Sequence, residues 1–264
     1  MIEFEIMGED YSLSFSSDYA DSNYGSPLHI HEGMYEILYL DEGNPHFWVE
    51  GTSYSVVKGD IVIARQDEMH RMIHMESSLY KRLVVNVGVE FFKKAGHLEY
   101  ARFFEDRPVG VGNHFSSDKA FEEIVARIIK YGQMGEELLV RGALWELIWT
   151  LNRESDNSLS ESRGLAQDIV LYINENITLP LSLEKIAERF YISKYHLCRI
   201  FKEKLGLTVA RYIIHKRILM VKELCASGKN ITEACMASGF GDYSSFYVAY
   251  KKETGRSPAC DLKK

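Results

Sequence analysis

A short segment in the last third of the chain carries basic and aromatic side chains at helical spacing. Residues 182–206 divide into a short helix, a tight turn and a second helix, with Ser193 as its predicted N-cap. A shared core is expected from Leu183, Ile186, Ala187, Leu197, Ile200 and Phe201. The outward positions of the second helix are Lys194, Tyr195, Cys198, Arg199 and Lys202. Such a helix has the side chains and the orientation to read a groove of DNA.

The same pattern returns about 48 to 49 residues later, in residues 231–255. Phe201 corresponds to Tyr250, and Gly206 to Gly255. Any helical hairpin can mimic one such unit, but a repeat with preserved core, glycine and lysine positions is much harder to obtain by chance. Between the copies, residues 209–226 form one amphipathic helix of roughly 27 Å. This length is comparable to the roughly 34 Å between successive major-groove segments on one face of DNA.

Residues 165–258 resemble the DNA-binding domain of the AraC/XylS family. The matching stretches are SLEKIA, LCRIFK, Arg217, GFGDYSSF and the closing Gly255–Pro258. The resemblance implies that both second helices enter successive major grooves. It makes base-facing candidates of Lys194, Tyr195, Cys198, Arg199, Tyr243, Ser244, Tyr247 and Val248. Phosphate contacts are expected from Lys202, Lys251 and Lys252.

Arg199 is the expected base reader, because a guanidinium group can bond the edge of guanine bidentately. Val248 stands where the family often has arginine, so we expect the second helix to be less selective. The family's aromatic-arginine ending is replaced by residues 259–262, which leaves the last turn without a prediction.

A second group of functional side chains lies in the first third of the chain. His29, His31 and Glu36 are followed by Gly59-Asp60 and then by His70. This pattern resembles a cupin barrel over residues 20–90, a sensory domain often paired with such a DNA-binding module. The resemblance implies a possible site for Zn, Fe, Ni or Mn at His29, His31, Glu36 and His70. Regulators of this kind often keep these residues without a metal, so we expect no cofactor and retain the metal as an alternative.

The loop before His70 departs from the cupin pattern, because Arg65 and Asp67 replace the usual proline and glycine. His70 is therefore expected to be held differently from its counterpart in typical cupins.

A small-molecule cavity is the expected use of the barrel. Alternation along the strand puts Glu36 and Leu38 on one face and the side chains of Tyr35, Ile37 and Tyr39 on the other. Only one set can line the cavity. The predicted ligand residues are His29, His31, Glu36, Trp48 and His70. Aromatic side chains with a few polar groups suit a small effector, and a sugar would stack on them.

The elements that must position these residues follow from periodicity. Between Ile2 and Val89, short β-rich runs predict a sandwich or barrel. The runs are Tyr35–Tyr39, Phe47–Val49, Tyr54–Val56, Ile61–Ile63, Arg71–Met75 and Leu83–Val87. Residues 118–152 predict a helical hairpin, and residues 153–164 a polar linker. We predict an α+β chain of two domains: a cupin-like β-barrel with its hairpin at 1–152, and an all-α double helix-turn-helix domain at 165–264.

Charge is divided unequally along the chain. The net charge is −7, but residues 165–264 carry +6 and residues 1–164 carry −13. The longest apolar run, Ala143 to Leu151, contains Glu146 and is too short to span a bilayer. The N-terminus lacks the pattern of a signal peptide, and the four cysteines show no metal-ligand spacing, so we expect a cytoplasmic protein without disulfides.

The leading interpretation is a ligand-responsive transcription regulator, an activator and not an enzyme. Its expected partners are double-stranded DNA, a small-molecule effector, a second copy of the chain and, by family resemblance, RNA polymerase. The homodimer follows from the surplus apolar surface of the hairpin; the alternative packs the hairpin wholly on its own barrel. Two other functions stay open: a metal-dependent cupin enzyme with a helical appendage, and a DNA-binding protein without an effector.

Overall fold

The computed structural model describes residues 1–22, 25–66, 68–154 and 164–262. The chain forms two compact units, Met1–Arg163 and Gly164–Lys264. The predicted linker at 153–164 lies outside the described residues, except that Arg153 and Glu154 end a helix of the first unit and Gly164 caps the first helix of the second. With a β-rich first unit and a helical second unit, the predicted α+β class is confirmed.

In its described residues, the first unit contains nine strands arranged in two antiparallel sheets. The strands are β1 (Ile2–Met7), β2 (Tyr11–Ala20), β3 (Met34–Glu42), β4 (His46–Val49), β5 (Thr52–Ser55), β6 (Ile61–Ala64), β7 (His70–Ile73), β8 (Ser78–Gly88) and β9 (His114–Phe115). One sheet has the order β1-β2-β8-β3-β6-β9, and the other has the order β5-β4-β7. An additional antiparallel bridge joins His29 to His70, which brings the two ends of the histidine pattern side by side.

Alternation along β3 and β8 divides the apolar side chains between two cores. Leu38, Leu40 and Tyr80 face the three-stranded sheet and pack with Phe47 and Met72. The side chains in between, which point the other way, contact the helices of the first unit; they include Tyr35, Ile37, Tyr39, Leu83, Val85 and Val87. The unit therefore has three layers, with the six-stranded sheet in the middle.

The helices of the first unit are α1 (Val89–Ala95), α2 (Arg102–Glu105), α3 (Lys119–Gln133) and α4 (Glu137–Glu154), with a 3₁₀ turn at Leu98–Ala101. Helix α3 begins at the N-cap Asp118, whose side chain accepts a hydrogen bond from the backbone of Ala120. Helices α3 and α4 form the predicted hairpin. Near the start of α4, Leu138 and Leu139 are 81% and 46% exposed although they are apolar.

The second unit is entirely helical in its described part. Its helices are α5 (Leu165–Glu175), α6 (Leu183–Arg189), α7 (Lys194–Leu205), α8 (Val209–Ala226), α9 (Ile231–Ala237), α10 (Tyr243–Thr254) and α11 (Pro258–Asp261). The pairs α6/α7 and α9/α10 are the two predicted helix-turn-helix units, and α8 is the continuous helix that joins them. None of the helices in the described ranges of either unit is both long and apolar enough to cross a membrane.

Candidate DNA interface and ligand cavity

The two helix-turn-helix units repeat each other down to their caps. Ser193 begins α7 by accepting a hydrogen bond from the backbone of His196, and Asp242 begins α10 by accepting one from Ser245. Both second helices have 12 residues and end at a glycine with positive φ, 72° at Gly206 and 74° at Gly255. Equivalent positions of α7 and α10 are therefore 49 residues apart, which allows a comparison side chain by side chain.

Each helix-turn-helix unit has its own small core. In the first helix-turn-helix unit, Ile186, Leu197 and Phe201 are fully buried, and Ala187 is 4% exposed. The corresponding core of the second helix-turn-helix unit contains Ala234, Cys235, Phe246 and Tyr250, all fully buried. Burial is the main cause that raises the pKa of the Cys235 thiol, in keeping with a packing role for this side chain.

The end of the chain has a local anchor that the family pattern did not predict. Tyr250 donates a hydrogen bond of 2.6 Å to Asp261, at the end of α11. Residues 259–262, which depart from the family's ending, thus still hold the last turn against α10.

All predicted DNA-contacting side chains are exposed on one face of their helix. On α7 these are Lys194, Tyr195, Cys198, Arg199 and Lys202. On α10 they are Tyr243, Ser244, Tyr247, Val248, Lys251 and Lys252. The spacing i, i+1, i+4, i+5, i+8 is shared by the five residues of α7 and by Tyr243, Ser244, Tyr247, Val248 and Lys251 of α10, so that each helix has a continuous stripe that can face a groove. Lys252 lies at the edge of the stripe on α10.

Arg199 and Lys194 make only exposed polar contacts. The Nη1 atom of Arg199 lies 3.4 Å from Glu203, and its Nη2 atom lies 3.2 Å from Nδ1 of His196. Lys194 donates to Glu184 at 2.9 Å. Exposed ion pairs are worth at most about 1 kcal/mol, so both cations can exchange these partners for nucleic acid at little cost.

A partly buried contact joins α8 to the segment between α5 and α6. Arg217 in α8 donates from Nε to the carbonyl of Ile177 at 2.9 Å and from Nη2 to that of Leu179 at 2.8 Å. Gly239 has φ +85°, and a Cβ there would lie 2.8 Å from the backbone of Ile177 and Thr178. Arg217 was part of the sequence resemblance without an assigned role, and its position shows a structural one.

The first unit contains a cavity of about 570 Å³ between its two sheets. Its lining includes three residues of the histidine pattern, His29, Glu36 and His70. Apolar lining residues are Ala20, Leu38, Phe47, Met72 and Val84, and polar ones are Asp18, Asp21, Ser26, His74, Tyr80 and Arg82. This volume and this mixture of surfaces suit a small organic ligand.

Trp48, predicted as a ligand residue, does not line the cavity. Side chains alternate along β4, so Phe47 faces the cavity while Trp48, 1% exposed, is buried on the opposite face of the strand. Trp48 thus differs by one residue of register from the cavity-facing position, and one residue moves a side chain to the other face of a sheet. Sequence reasoning also missed His74, Tyr80 and Arg82.

The four residues of the histidine pattern come together in space. One ligand atom from each of His29, His31, Glu36 and His70 lies within 4.8 Å of the others. The Nε2 atom of His31 is 2.8 Å from one Glu36 oxygen, and that of His70 is 3.4 Å from the other. Both Nε2 atoms are buried, and neither contact has the angle of a hydrogen bond.

Backbone carbonyls fix the orientation of two of the imidazoles. Nδ1 of His29 lies 2.8 Å from the carbonyl of Pro27, and Nδ1 of His70 lies 2.7 Å from that of Glu68. A histidine that donates from Nδ1 to a carbonyl presents an unprotonated Nε2, the arrangement found around metal-ligating histidines. The site therefore fits a divalent cation by its donor set and by its poorly satisfied buried nitrogen atoms.

The charges of this cluster are strongly coupled. Burial would raise the pKa of the Glu36 carboxyl, but His70 and His31 outweigh it and hold that pKa far below its usual range. Burial would lower the pKa of His70, but the Glu36 carboxylate outweighs it and raises the pKa. Burial and the neighbouring His70 lower the pKa of His29. The electrostatics of the cluster therefore favour the charged form of Glu36, while desolvation favours the neutral form of His29.

The loop that carries His70 is tied down by a buried ion pair. Glu68 is fully buried and accepts from Arg107 at 3.0 and 2.6 Å, from the backbone of Gly110 at 2.8 Å and from Asn113 at 3.0 Å. The backbone of Arg65 donates to the same carboxylate at 3.1 Å. Although burial opposes it, Arg107 lowers the pKa of Glu68 to about 2. In place of the usual proline and glycine, hydrogen bonds hold this loop.

The hairpin presents apolar side chains on its exposed side. Leu138, Gly142 and Trp149 lie on one face of α4, and Trp149 is 45% exposed. A Cβ added at Gly142 would meet nothing within 4 Å. The guanidinium of Arg153 lies 4.9 Å from the centre of the Trp149 ring. This face leaves room for another apolar surface, which the predicted homodimer requires.

Comparison with known proteins finds two domain families in this chain. The helix-turn-helix domain family matches residues 186–264, and the cupin domain family matches residues 18–85. The HTH-type transcriptional activator RhaS of Yersinia pestis bv. Antiqua (strain Angola) is 22% identical over 239 residues, which cover 88% of this chain and 87% of RhaS. RhaS of Yersinia pseudotuberculosis serotype I (strain IP32953) is 21% identical over the same coverage.

Among solved structures, ToxT of Vibrio cholerae strain SCE256 with bound unsaturated fatty acid aligns with 97% of this chain and 95% of its own, at 13% identity and a TM-score of 0.44. A protein of unknown function from Listeria innocua is 27% identical over 38% of this chain and 96% of its own, with a TM-score of 0.36.

Proposed function

We propose that this chain, which combines a cupin domain with a helix-turn-helix domain and is similar to the activator RhaS, is an AraC-type transcription activator controlled by a small polar effector, such as a sugar, in the cavity of its first unit. The observation that carries the proposal is the pair of matched, exposed reading stripes on α7 and α10 together with a ligand-sized cavity. Effector binding would change the population of conformations in which both reading helices fit their sites.

In this proposal α7 is the principal base reader. Arg199 bonds a guanine edge, whereas Lys202, Lys251 and Lys252 neutralise phosphates and supply salt-dependent affinity. The exposure of these side chains and their common face support this division. The contrast between a selective first helix and a more weakly selective second one rests on Val248, which cannot donate a hydrogen bond from its side chain.

The test compares Arg199→Ala with Lys251→Ala on a panel of related duplexes. Loss of a bidentate guanine contact should cost about 1–3 kcal/mol on the preferred site and little on sites that lack the guanine. Loss of a phosphate contact should weaken all sites similarly and reduce the salt dependence of binding. If both variants weaken every duplex to the same extent, Arg199 is not a base reader.

The effector role of the cavity is tested with the whole chain. A ligand that binds only the native first unit must raise its melting temperature. Sugars and other small polar metabolites are screened this way, and each hit is repeated with Met72→Trp, which should fill part of the cavity. A ligand that stabilises both proteins equally binds elsewhere, and the cavity would lose its assignment.

A divalent cation is a second component that the site supports. His29, His31, Glu36 and His70 would hold it, and the cation would supply Lewis acidity to an oxygen-bearing ligand. The same cluster supports the alternative of a cupin metalloenzyme, but that alternative leaves the double helix-turn-helix domain unexplained. Elemental analysis of the purified protein is the test. Metal below stoichiometric amounts that is unaffected in His29→Ala would end both ideas.

The exposed apolar face of α4 supports a homodimer formed through the hairpin. We further propose, from the family, that the DNA-bound dimer contacts RNA polymerase and that the protein acts in the cytoplasm. Transcription from a promoter carrying the selected DNA site, measured with purified polymerase with and without the protein, tests activation directly; repression in that assay would reverse its sign.

A further inference from the structure

The second reading helix differs from the first in kind. Because the two helices start at equivalent caps and end at equivalent glycines, Val248 occupies the position of Arg199. Val248 is 67% exposed, on the face of α10 that corresponds to the reading face of α7. The residue pair thus places an isopropyl group where the first helix has a guanidinium group.

The surroundings of Val248 are uncharged and partly apolar. Between Asp242 and Lys251, α10 has no charged side chain. Tyr243 and Tyr247, on the same face, are 38% and 37% exposed, with their rings 6.5 Å apart. By contrast, α7 carries lysines or arginine at four exposed positions and a single glutamate; the cations are Lys194, Arg199, Lys202 and Lys204. The two turns of α10 that would enter a groove therefore cannot rely on charge.

The major groove offers one apolar group that such a surface can contact. The C5-methyl group of thymine projects into it, and apolar side chains recognise it by contact, while the other base edges present hydrogen-bonding groups. An exposed valine is stiff about χ1 and loses little side-chain entropy on contact. Its burial against a methyl group removes apolar surface of both partners from water.

We propose that α10 reads thymine methyl groups and that Val248 is the specificity-determining contact. This inference rests on the proposed function in DNA recognition and replaces the weaker selectivity assigned there to α10 with selectivity of another chemistry. The half-site under α7 is defined by a guanine edge, and the half-site under α10 by a thymine methyl group. The second helix is then a selective reader with a different chemistry, in addition to its phosphate contacts through Lys251 and Lys252.

The experiment uses the full chain and duplexes selected by it from a random-sequence library. In the selected duplex each thymine is replaced singly by deoxyuridine, which removes the methyl group and keeps the base pair. Binding is measured by fluorescence anisotropy at one fixed salt concentration. At one or two thymines in one half-site, deoxyuridine should lower the affinity about fourfold. This fold-change corresponds to the loss of one buried methyl group, at about 0.8 kcal/mol of binding free energy.

Two variants assign that effect to a residue. In Val248→Ala the loss on deoxyuridine substitution should fall below twofold at the same position, whereas Arg199→Ala should retain the full fourfold loss there. Val248→Arg, which restores the chemistry of the first helix, should shift the selected base from thymine towards guanine at that position. Circular dichroism checks that each variant is folded.

Three outcomes overturn the inference in distinguishable ways. Specific binding without sensitivity to any thymine methyl group removes methyl reading by α10 and leaves the proposed function intact. Methyl sensitivity that persists in Val248→Ala removes Val248 as the contact. Failure of the library to yield any preferred sequence contradicts the proposed function itself, and the inference with it.

Discussion

Replacement of Arg107 by methionine should destabilise the first unit strongly. The guanidinium of Arg107 makes two hydrogen bonds to the carboxylate of Glu68, whose side chain is fully buried. Methionine has a similar length but no charge, so Glu68 would be left as a buried anion without its cation. Breaking a buried pair by removal of one partner typically costs about 3–5 kcal/mol. We expect a loss in this range, since Asn113 and Gly110 stabilise the carboxylate only in part.

Urea unfolding followed by tryptophan fluorescence measures this loss selectively. The three tryptophans of the chain, Trp48, Trp145 and Trp149, all lie in the first unit. Their emission therefore reports unfolding of that unit even in the full chain. The matched control is Arg127→Met, because Arg127 pairs with Glu146 across the hairpin with side chains 38% and 50% exposed. This exposed pair should be worth less than about 1 kcal/mol.

The pH dependence of stability gives a second measure of the same pair. The pKa of Glu68 is lowered from 4.5 to about 2, so the folded protein holds this carboxylate ionised where the unfolded chain would bind a proton. Its contribution of about 3 kcal/mol is present above the unfolded pKa and is lost as the pH falls from about 4.5 towards 2. In Glu68→Gln this part of the pH dependence should be absent.

The reasoning about Glu68 and Arg107 fails if Arg107→Met lowers the free energy of unfolding by no more than the surface control does. It also fails if Glu68→Gln, introduced into Arg107→Met, recovers none of the lost stability, because removal of the stranded charge must relieve part of the penalty.

Three shorter predictions address other parts of the molecule. Gly239→Ala should destabilise the second unit by at least about 2 kcal/mol in urea unfolding followed by circular dichroism, because a Cβ there would lie 2.8 Å from backbone atoms and φ is +85°. The control Gly241→Ala should change the free energy of unfolding little, because a Cβ at that position meets open space. Equal effects of the two substitutions would contradict the close approach at Gly239. Leu138→Glu should shift the full chain from dimer to monomer in sedimentation at tens of micromolar, and a wild-type monomer would refute the hairpin interface. His29→Ala should weaken Zn²⁺ binding at least tenfold in equilibrium dialysis; unchanged binding would place the ion elsewhere.

Local periodicity predicted the elements that carry the candidate sites. The runs now seen as β3, β6 and β8 alternate or are continuously apolar, and the helix-turn-helix units repeat at a fixed spacing, so each prediction rested on many residues at once. The same alternation correctly separated Glu36 and Leu38 from Tyr35 and its neighbours. The sequence did not single out β2, whose serine-rich alternation is a weak signal, although it forms the longest pairing with β8.

What the sequence could not supply were partners far apart along the chain. Glu68 and Arg107 are 39 residues apart, and neither has a local pattern that identifies the other. The exposure of Leu138 shows a related limit: helical periodicity identifies an apolar face without saying whether its own chain covers it. Trp48 was misplaced because a four-residue strand leaves its register open to a one-residue error.

In the six-stranded sheet of the first unit, alternate residues of the same strands either line the cavity or pack against the helices. Along β8, Tyr80, Arg82 and Val84 face the cavity, while Leu83, Val85 and Val87 point the other way and belong to the core that includes the helices. Selection can therefore retarget such a sensor to a new inducer by changing one set of alternate positions, while the other set preserves the contacts with the hairpin. Alternate residues of one strand thus determine ligand specificity and core packing. A library that randomises only the cavity-facing positions should yield folded proteins with new inducers.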